Sequence, residues 1–220
     1  FERMDLVAKV PAEIGKAAAR KEEDLGANVF LKGFNTSYTS YGDAKPLFSV
    51  SHLRADGGTS QSNASATGIP FSEANLETAL IAMEECLSDR GNVLGIFADQ
   101  LIIPLALRKE ALIVTKSDLR SGTDKNDMNT YNASMKTTLG GTIPKILVWK
   151  RLGAFAGGSD TAWFLQDTKQ HQVKVRWADK IKVEQDNSIG FKNDLMYWKV
   201  RFMLATGWSD WRGMWGSEGD

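Results

Sequence analysis

Cysteine is almost missing from this chain of 220 residues: Cys86 stands alone, and one thiol builds neither an internal disulfide framework nor a multi-thiolate metal site. Histidine is as scarce, and His52 and His171 lie too far apart in sequence to have the spacing of paired ligands, so no structural metal is expected. A surplus of one charge is lacking as well. Lysine plus arginine and aspartate plus glutamate number 27 each, so no basic excess points to nucleic acid or an anionic membrane, and any DNA contact is expected to be local or weak. No apolar run approaches the roughly 20 residues that span a bilayer. The stretch 143–149 is broken by Pro144 and Lys145, and no signal-peptide pattern opens the chain. The expectation is a soluble product made in the cytoplasm. An initial methionine is also absent, and the helical pattern begins soon after Phe1, which suggests a trimmed or mature form.

What is present is apolar material: 42% of the residues are hydrophobic, enough for a sizeable core in one large domain or two intertwined lobes. Seven tryptophans are many for this length, and four of them fall between Trp177 and Trp211. Rings gathered in this way fill cores or subunit contacts.

Pro11 suits the first turn of a helix, and Ile14, Ala18, Leu25 and Val29 then repeat on one face until Gly33, which predicts a helix over 11–33. Its other face mixes Lys16, Arg20, Glu23, Asp24 and Lys32. Residues 35–72 turn polar around the short apolar piece Pro46-Leu47-Phe48-Ser49-Val50, predicting an irregular excursion whose tract 57–68 is mobile. Ser72 is placed to cap a helix over 73–88, with Leu76, Ala79, Leu80, Met83 and Leu87 on one face. Residues 93–97 and 101–103 read as buried strand pieces, and Pro104 introduces a helix over 105–115. A long polar loop covers 116–141. Strands follow at 146–149, 162–165, 173–177, 181–183 and 195–206, the last alternating Met196, Trp198, Val200, Phe202 and Leu204 against Tyr197, Lys199, Arg201 and Met203. Residues 184–194 read as a turn between antiparallel strands.

Catalytic groupings are hard to assemble from these residues. Ser51 and His52 are adjacent, which sends their side chains to opposite faces of an extended segment, and the histidine reads as a surface or packing residue. His171, beside Lys169 and Gln170, is expected to be exposed. Cys86 sits beside Glu84 and Glu85, whose charge is expected to raise the thiol pKa and quiet it. The glycine pairs 57–58, 140–141 and 157–158 lack a phosphate-loop or dinucleotide pattern and read as turns. Asp118, Asp124 and Asp127 lack the glycine and closing glutamate of a calcium loop and read as a solvated cluster. The expectation is a protein with no catalytic residues and no cofactor.

The order of helix, polar excursion, α/β lobe and late antiparallel strands resembles the major capsid proteins of tailed phages. The likeness is nearest to the Mu-like major head subunit group. It is carried by Ala12-Glu13-Ile14-Gly15-Lys16-Ala17-Ala18-Ala19-Arg20, by Pro46-Leu47-Phe48-Ser49-Val50-Ser51-His52, by residues 71–90, and by Trp198-Lys199-Val200-Arg201 with Asp210-Trp211-Arg212-Gly213. Each stretch is soft alone, but together they run through most of the chain in the family's order. The resemblance implies an α+β fold with a long spine helix at 11–33, and a peripheral domain of 1–70 and 168–206. It also implies an axial α/β domain of 71–167, completed by 207–220. The family's N-terminal arm and extended hairpin loop have no counterpart ahead of Phe1. No residue matches its maturation cleavage or crosslink.

What the resemblance implies for function is a shell subunit that self-associates into pentamers and hexamers around double-stranded DNA, with portal, scaffold and decoration proteins as further partners and no membrane. The candidate contacts between subunits are Arg20, Glu23 and Asp24 on the spine, Asp124, Lys125 and Asp127 in the long loop, and Trp211. The loops 35–68 and 116–141 are expected to yield between five-fold and six-fold settings. Two rivals stand beside this reading: an encapsulin-like compartment with the same fold, and, more distantly, a soluble α/β hydrolase.

Overall fold

The apolar stripe that begins at Ile14 continues upstream through Val10 and Leu6 at the same four-residue spacing, and the first helix follows it. In the computed structural model, which describes residues 3–39, 43–119, 127–129, 144–170, 173–186 and 197–220, α1 runs Arg3–Leu31 with Pro11 inside it. The expected start at Pro11 is therefore too late. Pro11 is the ninth residue of this helix, where proline gives up its own amide bond and crowds the carbonyl one turn back, a local cost that the periodic pattern on both sides of it outweighs. The expected stripe is the less exposed one, with Ala18 and Val29 buried. Close packing gathers the chain into two units, Phe1–Val29 with Val173–Gly207, and Phe30–Gln172 with Trp208–Asp220.

In the smaller unit, β4 (Lys174–Asp186) and β5 (Tyr197–Gly207) form a two-stranded antiparallel ribbon. The two strands expected at 173–177 and 181–183 are one strand, bridged by register shifts around Asp179 that let the ladder continue past an irregularity. The alternation expected for 195–206 holds: Tyr197, Lys199, Arg201 and Met203 are exposed, while Trp198, Val200, Phe202 and Leu204 are half-buried. Met196 and most of the expected turn at 184–194 lie outside the described residues. The hydroxyl of Thr206 donates to the Leu25 carbonyl of α1 at 3.1 Å.

In the larger unit, β1 (Gln100–Ile103), β2 (Lys145–Val148), β3 (Trp163–Gln166) and β6 (Met214–Ser217) form a sheet in the order β2-β1-β3-β6. Only the β1–β2 pair is parallel, as its connection through α3 (Arg108–Lys116) requires. β6 was not foreseen in the sequence. Its residues, Met214-Trp215-Gly216-Ser217, are buried throughout, so no alternation marks them. Trp163 lies against Trp215 and Phe71 with ring centroids 4.9 and 5.4 Å apart. Phe48 lies 5.1 Å from Phe164, and both press on Gly216, where an added Cβ would come within 2.8 Å of Phe48 and 2.9 Å of Phe164. That close approach is why the strand carries glycine there.

Residues 93–97 do not form the expected buried strand. Val93 and Phe97 are 73% and 53% exposed, and the Phe97 amide is held by the Asp167 carboxylate at 3.2 Å, outside any ladder. The helix expected at 105–115 starts later, at Arg108. Helix α2 (Glu73–Glu84) is capped as expected, with Ser72 Oγ accepting from the Asn75 amide at 3.2 Å, but it stops short of the expected Ser88. The cause is nonlocal. The Gln61 side chain donates to the Leu87 carbonyl at 2.9 Å and accepts from the Leu87 amide at 2.7 Å, pairing Leu87 as a strand neighbour would. Residues 87–93 then turn back through Gly91 at φ +78°.

Within the polar tract 57–68, expected to be mobile, residues 61–64 are hydrogen-bonded into the larger unit. His52 and Gln61 exchange backbone hydrogen bonds, Asn63 accepts from the Gly216 amide at 3.0 Å, and Ala64 bridges to Gly216. The fold as a whole is mixed α+β.

Candidate functional site

Asp210-Trp211-Arg212-Gly213 makes a tight turn just before β6. The Asp210 carboxylate accepts from the Arg212 amide at 3.1 Å, and Gly213 takes φ +83°, a left-handed conformation that glycine adopts without strain. The turn sends Trp211 inward, to 7% exposure, and leaves Arg212 lying over the indole with its guanidinium carbon 4.7 Å from the ring centroid. His52 stacks on the same indole at 4.1 Å with the planes 6° apart.

Beneath this stack lies a polar hub on Asn63. Its Oδ1 accepts from the Ser49 amide at 2.9 Å and faces His52 Nε2 at 3.1 Å, while its Nδ2 donates to the Leu47 carbonyl at 2.7 Å. These partners fix which way the amide points. His52 Nδ1 meets the Asp43 carboxylate at 2.5 Å. A histidine held by a carboxylate is half of a catalytic relay, but here the ring nitrogen that would face a nucleophile faces Asn63, and the imidazole is only 1% exposed. The pair serves packing, the second of the two roles expected for His52.

Outside the stack lies a cleft of about 450 Å³, lined by Arg54, Asp89, Trp208, Asp210, Trp211 and Arg212, with Asp43 at its wall. Arg212 is fully engaged: Nη2 donates to Asp89 at 2.6 Å, Nη1 to Asp210 at 3.1 Å, and Nε to the Leu87 carbonyl at 3.2 Å. Arg54 pairs with Asp56, and its guanidinium is wedged where a Cβ on Gly58 or Gly91 would sit 2.7 Å away. Its Nε is buried without a hydrogen-bond partner. The Gly58 amide, donating at 2.9 Å, and then Arg54 hold the Asp56 carboxyl below the usual range. Three carboxylates, Asp43, Asp89 and Asp210, thus line the cleft with two guanidiniums, and Asp56 holds Arg54 from outside the lining. Asp89 and Asp210 keep about half their side-chain surface in solvent.

Cys86 lies just beyond α2, not within it as expected, and burial pushes its thiol up to about 11. The direction matches the sequence reading, but the cause differs. Desolvation leads, the Arg212 charge works against it and Asp210 adds to it, in place of the expected Glu84 and Glu85.

The sequence-predicted contact residues fall in both units. Arg20 and Glu23 are exposed on α1 and Asp24 is half-buried there; Asp127 is exposed, and Trp211 is enclosed by its own chain. Asp124 and Lys125 lie outside the described residues, as do His171 and Gly140-Gly141. Sequence reasoning missed Asp43, Arg54, Asp89 and Trp208, which converge from separate segments. The one local signal was the acid-tryptophan-base triplet 210–212. Among the described residues no group of histidine, cysteine and acidic side chains could hold a metal ion, and no helix is long and apolar enough to cross a membrane.

The chain is thus mixed α+β, with a buried histidine locked into packing and a charged, aromatic cleft on its surface. The family described as phage capsid protein matches residues 1–216, so the chain belongs to that family and its role is a structural, capsid one. No curated protein and no solved structure matches it.

Proposed function

We propose that this chain is the major head subunit of a tailed phage, similar to the Mu-like group, whose copies close into an icosahedral shell around double-stranded DNA. The observation that carries this reading is the family match, which spans residues 1–216. Helix α1 and the β4–β5 ribbon take the place of the spine and periphery, and the four-stranded sheet with α2 and α3 that of the axial domain. The outer limits are those the resemblance gives, 1–70 with 168–206, and 71–167 completed by 207–220.

A shell sums many modest contacts, and head-to-tail contacts close into rings of five or six when the joining loops absorb a small rotation. Arg20, Glu23, Asp24, Asp124, Lys125, Asp127 and Trp211 are the proposed contact residues. The equal count of 27 cationic and 27 anionic side chains suits mutual attraction between copies better than a strong grip on DNA, which is held weakly and without sequence preference. Portal, scaffold and decoration proteins are the further partners of such a shell, and the virion is its place.

Negative-stain electron microscopy of concentrated protein is the test. Uniform polyhedral particles with nuclease-protected DNA are expected in particles made during phage growth. Small monodisperse species at every concentration overturn the reading, and shells filled with a cargo enzyme and no DNA replace it with the encapsulin-like one.

A further inference from the structure

The charge of this chain is balanced in sum but not in place. Around the cleft, the three lining carboxylates, Asp43, Asp89 and Asp210, outnumber the two guanidiniums, and both guanidiniums are turned inward, each only 12% exposed. Asp89 and Asp210 remain 53% and 49% exposed, and a carboxylate offers about four acceptor positions, more than Arg212 occupies. Half-exposed Trp208 adds an indole, the aromatic face that binds cations best.

The β4–β5 ribbon has the opposite imbalance. Its sequence carries Lys174, Arg176, Lys180, Lys182, Lys199 and Arg201 against Asp179, Glu184 and Asp186, and all six basic side chains are exposed. Two are neutralised across the ribbon, Lys199 by Glu184 at 3.1 Å and Arg201 by Asp179 at 3.4 Å. Lys174, Arg176, Lys180 and Lys182 have no ion-pair partner among the described residues. At about 3.3 Å per residue the ribbon is roughly 35 Å long and two strands wide, narrow enough to enter a groove.

We propose that the cleft beside Trp208 and Trp211 receives basic side chains of the β4–β5 ribbon from a second copy of this chain. The inference rests on the self-assembly reading above and names one of its contacts. A lysine or arginine entering the cleft meets two carboxylates and an indole, a setting that a nucleic-acid phosphate would find repulsive. Since donor and acceptor surfaces differ, the contact is head-to-tail and therefore able to propagate around a ring.

Crosslinking tests it directly, because Cys86 is buried and leaves the surface free of thiols. Two full-length variants, Ser209→Cys at the exposed rim of the cleft and Lys180→Cys on the ribbon, are mixed, assembled and mildly oxidised. The expected product is a disulfide-linked dimer containing one copy of each, absent when either variant is oxidised alone. In parallel, Lys180→Glu with Lys182→Glu is expected to slow assembly at low salt by about tenfold, and Asp210→Lys to restore the rate when combined with it. Asp210→Lys removes a partner of Arg212, so its urea midpoint is measured beside it; if it fails to fold, the crosslink and the ribbon variant still decide. Shells that form without the mixed dimer, from ribbon variants assembling at the normal rate, overturn the contact and leave the shell reading standing. Ribbon variants that assemble normally but retain less DNA overturn it in favour of a nucleic-acid face. Absence of shells from the unaltered chain removes the shell reading itself.

Discussion

The four-stranded sheet and the two-stranded ribbon use strands in opposite ways. In the sheet, β3 and β6 are four residues each and buried at every position. In the ribbon, β4 and β5 are 13 and 11 residues long, and the exposed positions of β5 carry Tyr197, Lys199, Arg201 and Met203. Burial on both faces gives the sheet its stability within one chain, whereas a lone two-stranded ribbon is marginal in water unless something packs on it. The contrast separates a region that holds the subunit together from one suited to meeting other molecules.

The largest test of that contrast is truncation of one aromatic in each region. Trp163 is fully buried against Trp215 and Phe71, and its Nε1 donates to the Ile69 carbonyl at 3.0 Å. Trp163→Ala is expected to cost about 4 kcal/mol by combining lost burial, a cavity and one lost hydrogen bond, the Ile69 carbonyl keeping the Ser217 hydroxyl as its other donor. Phe202→Ala, half-buried and 6.2 Å from Trp177, is expected to cost about 1 kcal/mol. Urea midpoints of the unassembled chain measure both, and equal losses would erase the distinction.

Next comes the polar hub, where Asn63→Ala strands the Ser49 amide, His52 Nε2 and the Leu47 carbonyl together. About 2 to 3 kcal/mol is expected, because buried groups lose their partners while little apolar area changes. Asn63→Asp is the sharper probe. It keeps the acceptor but turns a carboxylate oxygen on the Leu47 carbonyl and buries a charge, so it should cost at least as much as Asn63→Ala in the same urea series.

How much of this was legible in advance follows from how local the cause is. The α1 stripe of Ile14, Ala18, Leu25 and Val29 and the β5 alternation are written in adjacent turns and pleats, and both appear in the fold. The end of α2 was misjudged because Gln61, 26 residues away, captures Leu87 through its side chain. β6 escaped because a strand buried on both faces carries no period-two pattern. The cleft was least legible, since Asp43, Arg54, Asp89 and Trp208 share no spacing and converge only after the excursion folds onto the sheet. Of the contact residues named from sequence, Trp211 alone borders it.

A thiol in each region extends the comparison to chemistry. Cys86 has its thiol pushed up to about 11 by burial, whereas a cysteine replacing Met203, which is 58% exposed on the ribbon, should titrate near the ordinary value of about 8.5. At pH 8 the thiolate fraction then differs by roughly two-hundredfold, and alkylation of Cys86 in the folded chain should lag that of Met203→Cys by about that factor. The same shift fixes a sign for stability. The folded state holds the Cys86 proton more tightly than the unfolded chain, so its contribution is complete below the unfolded value of about 9 and is lost as the pH climbs towards about 11. Alkylation rates at pH 8 and urea midpoints from pH 8 to 11, with Cys86→Ala as the reference, read both effects.

The smallest effect is expected on the ribbon surface. Lys199 and Glu184 lie 3.1 Å apart with side chains 73% and 56% exposed, so solvent screens most of their attraction. Lys199→Ala, Glu184→Ala and the double variant should each move the stability of the unassembled chain by less than about 0.5 kcal/mol, and the coupling energy should be smaller still. What such a pair can govern is encounter. If the ribbon meets other copies through its charge, Lys199→Ala should slow assembly at low salt while leaving the urea midpoint where it was, and raising the salt should abolish the difference. A midpoint that moved with the rate would mean that the ribbon, like the sheet, is there to hold its own subunit together.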